Sequence, residues 1–227
     1  MFFCPSAGLR RPLQIREKLM STSETISAIV DAEKEVAKML FGLAVAISAI
    51  PLLLRLPAKP FGILIDISEF GFSFLILVSV WLGYWNVMSV LPMEDRTIVA
   101  LNIGLLFLVS IEPYLFYLNI TFDLLAHEPL LNAASITYAL DMAGLMLILG
   151  LFTQQLAREE KGLVPKELLT RYKRVRTLLF IAAVLFAITI LPQFWTFRAL
   201  GQPIRFYFWF IPLSISTIWS LSERGFQ

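Results

Sequence analysis

The sequence predicts an all-α integral membrane protein with six transmembrane helices in a single repeat. Two observations concern composition: 58% of the 227 residues are hydrophobic and only 16% are charged, whereas soluble domains are usually about 45–50% apolar and about 25% charged. The third is that six stretches are long and apolar enough to cross about 30 Å of hydrocarbon. They lie at residues 36–56, 67–91, 97–118, 133–153, 176–197 and 204–221. The lipid bilayer is therefore the first partner that the sequence predicts.

The segments around these spans divide the chain into three parts. Residues 1–35 form a cytoplasmic N-terminal segment, in which Ser21-Thr22-Ser23-Glu24 has the spacing of a capping box and opens an amphipathic helix. Residues 36–221 form the six-helix transmembrane domain, and residues 222–227 form a cytoplasmic tail.

Basic residues predict the orientation of the spans. If the N-terminus is inside, 15 of the 19 Lys and Arg residues lie in inner segments, and the outer loops hold only Arg55, Lys59, Arg198 and Arg205. Cytoplasmic loops carry an excess of Lys and Arg, so both termini are predicted to be cytoplasmic.

The sizeable inner segment, residues 154–176, is predicted to be a loop in which Pro165 begins a helix. Its basic residues lie beside the fifth span, where they serve either as ordinary positive-inside anchors or as contacts to anionic lipid head groups. They are Arg171, Lys173, Arg174 and Arg176.

Several classes of function are disfavoured by what the sequence contains. Cys4 is the single cysteine and His127 the single histidine, so clustered thiolate or imidazole ligands for a metal cannot form within one chain. A net charge of +2 gives no reason to expect nucleic acid as a partner. Catalytic and phosphate-binding motifs are missing from the sequence. We therefore expect neither enzymatic activity nor a cofactor.

Polar residues at membrane depth are the candidates for function. Asp141 lies near the centre of the fourth span, where an aspartate costs about 2.5–3.5 kcal/mol on the insertion scale. It either lines a proton or ion path or bonds to a neighbouring helix, such as the one that carries Asn102. For Asn102 itself a bond between helices is favoured. Glu112 precedes Pro113 and is expected to reach the outer interface.

Small residues mark the first span as the centre of an assembly. Gly42 with Ala46, and Ala44 with Ser48, follow the small-xxx-small spacing that lets helix backbones approach closely. Pro51 frees a backbone carbonyl and can kink the helix at that height.

The stretch WLGYWNVMSVLPMEDRTIVALNIGLLFLVSIEP, with Tyr138-Ala139-Leu140 in the fourth span, resembles the transmembrane protein 175 family of potassium channels. The resemblance covers roughly residues 36–190 and is specific from 81 to 141. The framework residues that carry it are Phe41, Trp81, Asp95, Arg96, Asn102, Ser110, Pro113, Tyr138 and Asp141. In this comparison Pro113 is expected to close the third span, and Asp141 stands where an asparagine is common.

The resemblance implies a pore along the first span, a homotetramer and a prokaryotic plasma membrane. Positions in this sequence that would line the pore are Ile47, Ser48, Pro51, Leu54 and Arg55. The family's R-x-x-x-F-S-D motif is kept only at Phe41, because Gly42 and Leu43 stand where serine and aspartate belong. Potassium selectivity is therefore not carried over. Arg55 would place a positive charge at the mouth or would snorkel away to the head groups.

Two functional hypotheses follow. The first is a homo-oligomeric channel that conducts potassium or other monovalent cations through a pore on the first span. The second is a channel-like membrane scaffold or regulatory subunit that does not conduct.

Overall fold

The computed structural model describes residues 32, 35–50, 60–91, 95–124, 128–158, 165–199 and 202–222. The capping box at Ser21 and the pore positions Pro51, Leu54 and Arg55 lie outside these described residues. The chain divides into two compact units, Met1–Met39 and Leu40–Gln227. The described residues of the first unit are helical, and Lys38 pairs there with Glu35 at 2.5 Å.

The described residues are mainly helical, with one short ribbon and brief turns at the helix ends. Residues 35–48 are helical and are called α1. The other helices are α2 (Pro60–Met88), α3 (Arg96–Leu124), α4 (Glu128–Leu156), α5 (Lys166–Ile188), α6 (Gln193–Thr196) and α7 (Ile204–Ser222). Between α6 and α7, strand β1 (Arg198–Ala199) pairs antiparallel with β2 (Gln202–Pro203). The sequence did not predict this ribbon, since strands of two residues leave no periodic pattern.

Within the described residues, three helices are long and apolar enough to cross a membrane: Phe70–Met88 of α2, Arg96–Asn119 of α3 and Pro129–Leu156 of α4. They correspond to the second, third and fourth predicted spans, which are therefore confirmed as long apolar helices. The first, fifth and sixth spans remain predictions.

Helix α4 lies at the centre of the second unit, because it packs against α2, α3 and α5, while α7 packs against α5 and α2. Two glycines allow the close approach. A Cβ atom at Gly144 would lie 2.8 Å from Leu108 of α3, and one at Gly150 would lie 2.6 Å from the ring of Phe180 of α5. Such distances are far below ordinary carbon contacts of about 3.5–4.0 Å, so larger residues cannot fit there without movement.

Two helix ends differ from the prediction, and one agrees with it. Pro113 lies inside α3, which continues to Leu124, so the expected end of the third span at Pro113 is wrong. Prolines are tolerated within membrane helices because neighbouring groups satisfy the freed backbone. Helix α5 begins directly after Pro165, as predicted.

The basic run 171–176 therefore belongs to α5, the helix that was expected to begin at Pro165. Moreover, the predicted fifth span 176–197 is divided, because α5 ends at Ile188 and α6 begins after Pro192.

Candidate functional site

One side of α1 is left uncovered by the rest of the second unit. We call this the exposed face of α1; it consists of Gly42, Leu43, Ala46 and Ile47, and the exposed Ile50 continues it just beyond the end of α1. These residues recur at intervals of three and four, so they share one side of a helix. Leu43 is 56% exposed, and a Cβ atom at Gly42 would meet nothing within 4 Å. The face is apolar and built partly of small residues, which suits it to another helix or to lipid.

The opposite side of α1 packs inside the unit. Phe41 and Ala44 are buried, and the ring of Phe41 lies 5.7 Å from that of Tyr84 on α2. Ser48 is also buried, and its hydroxyl donates to the Val45 carbonyl at 2.7 Å. The two small-residue pairs therefore have different surroundings. Gly42 and Ala46 are available to another copy, whereas Ala44 and Ser48 fit α1 against its own chain.

This arrangement separates two of the predicted pore residues. Ile47 lies on the exposed face of α1, while Ser48 lies on the covered side. Pro51, Leu54 and Arg55 fall outside the described residues, so the pore-lining role of the set remains a prediction.

A second feature is a buried polar cluster at the junction of α2, α3 and α4. Glu112 of α3 is fully buried, and its two carboxylate oxygens accept hydrogen bonds from the Ser73 hydroxyl of α2 at 3.1 and 3.2 Å. The Tyr138 hydroxyl of α4 donates to the same carboxylate at 3.4 Å. Each partner comes from a different helix. Glu112 therefore fixes the relative position of three helices through one side chain.

Asp141 lies one turn beyond Tyr138 on α4 and interacts electrostatically with both Glu112 and Tyr138. It is only 3% exposed. Neither of its carboxylate oxygens has a hydrogen-bond partner among the described residues. Two carboxyl groups are thus buried in the apolar core, an arrangement that is costly unless protons or other groups neutralise it.

A buried arginine extends the polar region. Arg205 of α7 is 1% exposed, and its Nη1 donates to the Ser135 hydroxyl of α4 at 2.5 Å. The guanidinium carbon lies 4.8 Å from the centre of the Trp195 ring, within range of a cation–π interaction. Ser135 precedes Tyr138 by three residues, so Arg205 and Glu112 contact adjacent turns on the same side of α4.

The cluster corrects the expectation for Glu112. The sequence suggested that its side chain reaches the outer interface, whereas the structure buries it completely against Ser73 and Tyr138. Arg205, which was counted among outer-loop residues, is likewise buried. The one sequence signal for Glu112 was an acidic residue inside a long apolar stretch.

The remaining framework residues lie apart from the cluster. The Asp95 carboxylate accepts from the Thr97 amide at 2.9 Å, so it caps the start of α3. Trp81, Arg96 and Ser110 are exposed. Asn102 is buried, and its side-chain oxygen has no partner in the described part of the chain, so its bond between helices stays a prediction.

Among the described residues, no group of three or more His, Cys, Asp or Glu side chains could hold a metal ion.

Comparison with known proteins gives one similar solved structure. No protein-family model matches the chain, and no curated protein sequence matches it. The crystal structure of a lysosomal potassium-selective channel TMEM175 homolog from Chamaesiphon minutus is similar with a TM-score of 0.53 and 14% sequence identity. The match covers 86% of this chain and 96% of the channel homolog. The resemblance predicted from the sequence is therefore confirmed at the level of fold: this is an integral membrane protein with the fold of that TMEM175 homolog.

Proposed function

We propose that the protein is a homo-oligomeric channel that conducts monovalent cations along a path lined by α1. The observation that carries this proposal is the exposed face of α1. In a chain whose other side of α1 is packed, an uncovered row of small and apolar residues needs a partner. Identical helices from other copies are the natural partner, because a closed ring of them buries the face and encloses a path.

The fold supports the same conclusion. The similar crystal structure is a potassium-selective channel, which makes ion passage the best-supported class of function for this chain. Gly42 and Leu43 leave the exposed face without a hydroxyl or a carboxylate at those positions. Selectivity for potassium over sodium is therefore not part of the proposal. An apolar wall around Ile47 would gate by dewetting.

The proposed assembly is a tetramer of six-span subunits with both termini in the cytoplasm. Gly42 and Ala46 lie on the exposed face and have small-xxx-small spacing, which supports close approach of neighbouring α1 helices. Cys4 provides a test of the orientation. A membrane-impermeant thiol reagent should label it in inverted vesicles and leave it unlabelled in intact cells. Labelling of intact cells would contradict the orientation.

Ion flux through reconstituted protein tests the function. Purified oligomer in liposomes with an outward potassium gradient should release potassium faster than empty liposomes, and it should pass sodium as well. Chloride release should stay at the level of empty liposomes. Folded, oligomeric protein that passes neither cation would contradict conduction and would favour the alternative of a non-conducting scaffold or regulatory subunit.

A further inference from the structure

A cavity of about 490 Å³ opens between α4 and α5, away from both the exposed face of α1 and the buried cluster. Its polar lining comes from Gln154, Arg176 and Thr177, and its apolar lining comes from α5 side chains that begin with Phe180. Phe180 of α5 lies against Gly150 of α4. Gln154 follows Gly150 by four residues, and Arg176 precedes Phe180 by four. Both therefore lie one helical turn nearer to the connection between α4 and α5. The cavity therefore has a polar end and an apolar end.

The side of α5 that carries the apolar end of the cavity continues beyond the lining to Ile188 and has the length of one bilayer leaflet. From Thr177 to Ile188 at the end of α5 there are eleven steps from one residue to the next, or about 16 Å of helix at about 1.5 Å per step. Half of a hydrocarbon core of about 30 Å is about 15 Å. Ile181, Val184 and Ile188 along this length are 45%, 56% and 38% exposed. An acyl chain that starts at Thr177 would lie in the cavity as far as Leu185 and against the exposed Ile188 side chain beyond it.

The polar end of the cavity contains one basic side chain, that of Arg176, and further basic residues of α5 lie outside the lining. Arg176 is half-buried at the cavity, and three exposed basic residues precede it on the same helix: Arg171, Lys173 and Arg174. A guanidinium group presents a planar set of donors that matches the geometry of a phosphate. Basic pockets between membrane helices are known to hold anionic lipid head groups.

We propose that this cavity is a binding site for one anionic phospholipid. The phosphate contacts Arg176 and the Gln154 amide, and an acyl chain lies along Phe180, Ile181 and Val184. The site rests on the placement of α5 in the bilayer, as in the proposed six-span arrangement, but not on conduction. Lipid binding is measured without flux, so failure of one proposal is distinguishable from failure of the other.

Native mass spectrometry of the purified protein tests the site, with phosphatidylglycerol and phosphatidylcholine as the probes. Wild-type protein should retain phosphatidylglycerol in preference to phosphatidylcholine. Arg176→Gln removes the charge at the cavity and should weaken retention about tenfold, because the phosphate loses a charged hydrogen-bond donor. Arg174→Gln is the matched control, because it makes the same change of charge on the same helix at a residue that does not line the cavity. It should retain phosphatidylglycerol like the wild type.

Two further variants keep the test decisive. Val184→Trp should fill the apolar end and displace the acyl chain. If Arg176→Gln does not fold, Gln154→Leu takes its place, because it removes the other polar contact to the phosphate and should also weaken retention of phosphatidylglycerol. Equal losses for Arg176→Gln and Arg174→Gln would overturn the site in favour of diffuse attraction to a basic surface. Retention that no variant changes would also overturn it. A change of oligomer mass in Val184→Trp with lipid retention unaltered would assign this surface to a second copy of the chain instead.

Discussion

Glu112 and Ser73 lie 39 residues apart in the chain, yet the serine hydroxyl bonds to both carboxylate oxygens at 3.1 and 3.2 Å, and neither residue is exposed. The pair joins α3 to α2 in a region where water cannot replace a lost partner. A buried acceptor that loses its donor bears the full cost of desolvation. The contact therefore predicts how the protein responds when the hydroxyl is removed.

Ser73→Ala should lower the free energy of unfolding by about 1–3 kcal/mol, because a buried carboxylate would lose its shortest hydrogen bonds. Thermal unfolding of the purified protein in detergent measures the change. Ser110→Ala is the control: that hydroxyl is exposed and donates to the Leu106 carbonyl within its own helix. Its effect should stay within about 0.5 kcal/mol. Equal effects of the two variants would mean that the Ser73–Glu112 contact does not stabilise the fold.

Asp141→Asn should leave the protein folded and at least as stable as the wild type, because it replaces a buried carboxyl group without described partners by an uncharged amide of the same shape. If Asp141 exchanges protons with the conduction path, the same change should flatten the dependence of flux on pH. Flux at several pH values in liposomes measures this.

Asp95→Asn is the control for that experiment, since asparagine also caps a helix and the wild-type pH profile should persist. An Asp141→Asn protein with an unchanged pH profile would remove Asp141 from the conduction path. A lower unfolding temperature for it would show that the carboxyl group itself is needed for folding.

Gly150→Ala should destabilise the protein by about 1–3 kcal/mol, because the added methyl group would lie 2.6 Å from the Phe180 ring and force α4 and α5 apart. Gly71→Ala is the matched change in α2, where a Cβ atom meets nothing within 4 Å. That variant should be neutral or more stable, by up to about 1 kcal/mol from helix propensity. Thermal unfolding measures both variants. An equal loss of stability in Gly150→Ala and Gly71→Ala would contradict the close packing of α4 on α5.

Ala46→Phe should dissociate or distort the oligomer, because a bulky ring on the exposed face of α1 prevents close approach of helix backbones. Ala100→Phe, at an exposed position of α3, should leave the oligomer mass unchanged. Light scattering of the detergent-solubilised protein gives the mass. An Ala46→Phe protein that keeps its mass and stability would mean that this face contacts lipid rather than another copy.

Hydropathy predicted the long apolar helices α2, α3 and α4 because burial in lipid demands a continuous apolar stretch. The end of α3 was missed, because Pro113 interrupts only one backbone bond in a helix whose neighbours support it. Glu112 was misplaced for a different reason. Its partners Ser73 and Tyr138 lie on other helices, at separations of 39 and 26 residues, and a single sequence does not record which helices meet.

The path along α1 is tested most directly by blocking it. Ile47 lies on the exposed face of α1, and Ile103 lies on the exposed side of α3, where it is 64% exposed. Each is replaced by cysteine in a Cys4→Ser background, and potassium flux in liposomes is measured before and after a charged thiol reagent. The account predicts that Ile47→Cys loses most of its flux and that Ile103→Cys keeps it. Unchanged flux in labelled Ile47→Cys, or equal loss in both variants, would contradict a cation path lined by α1.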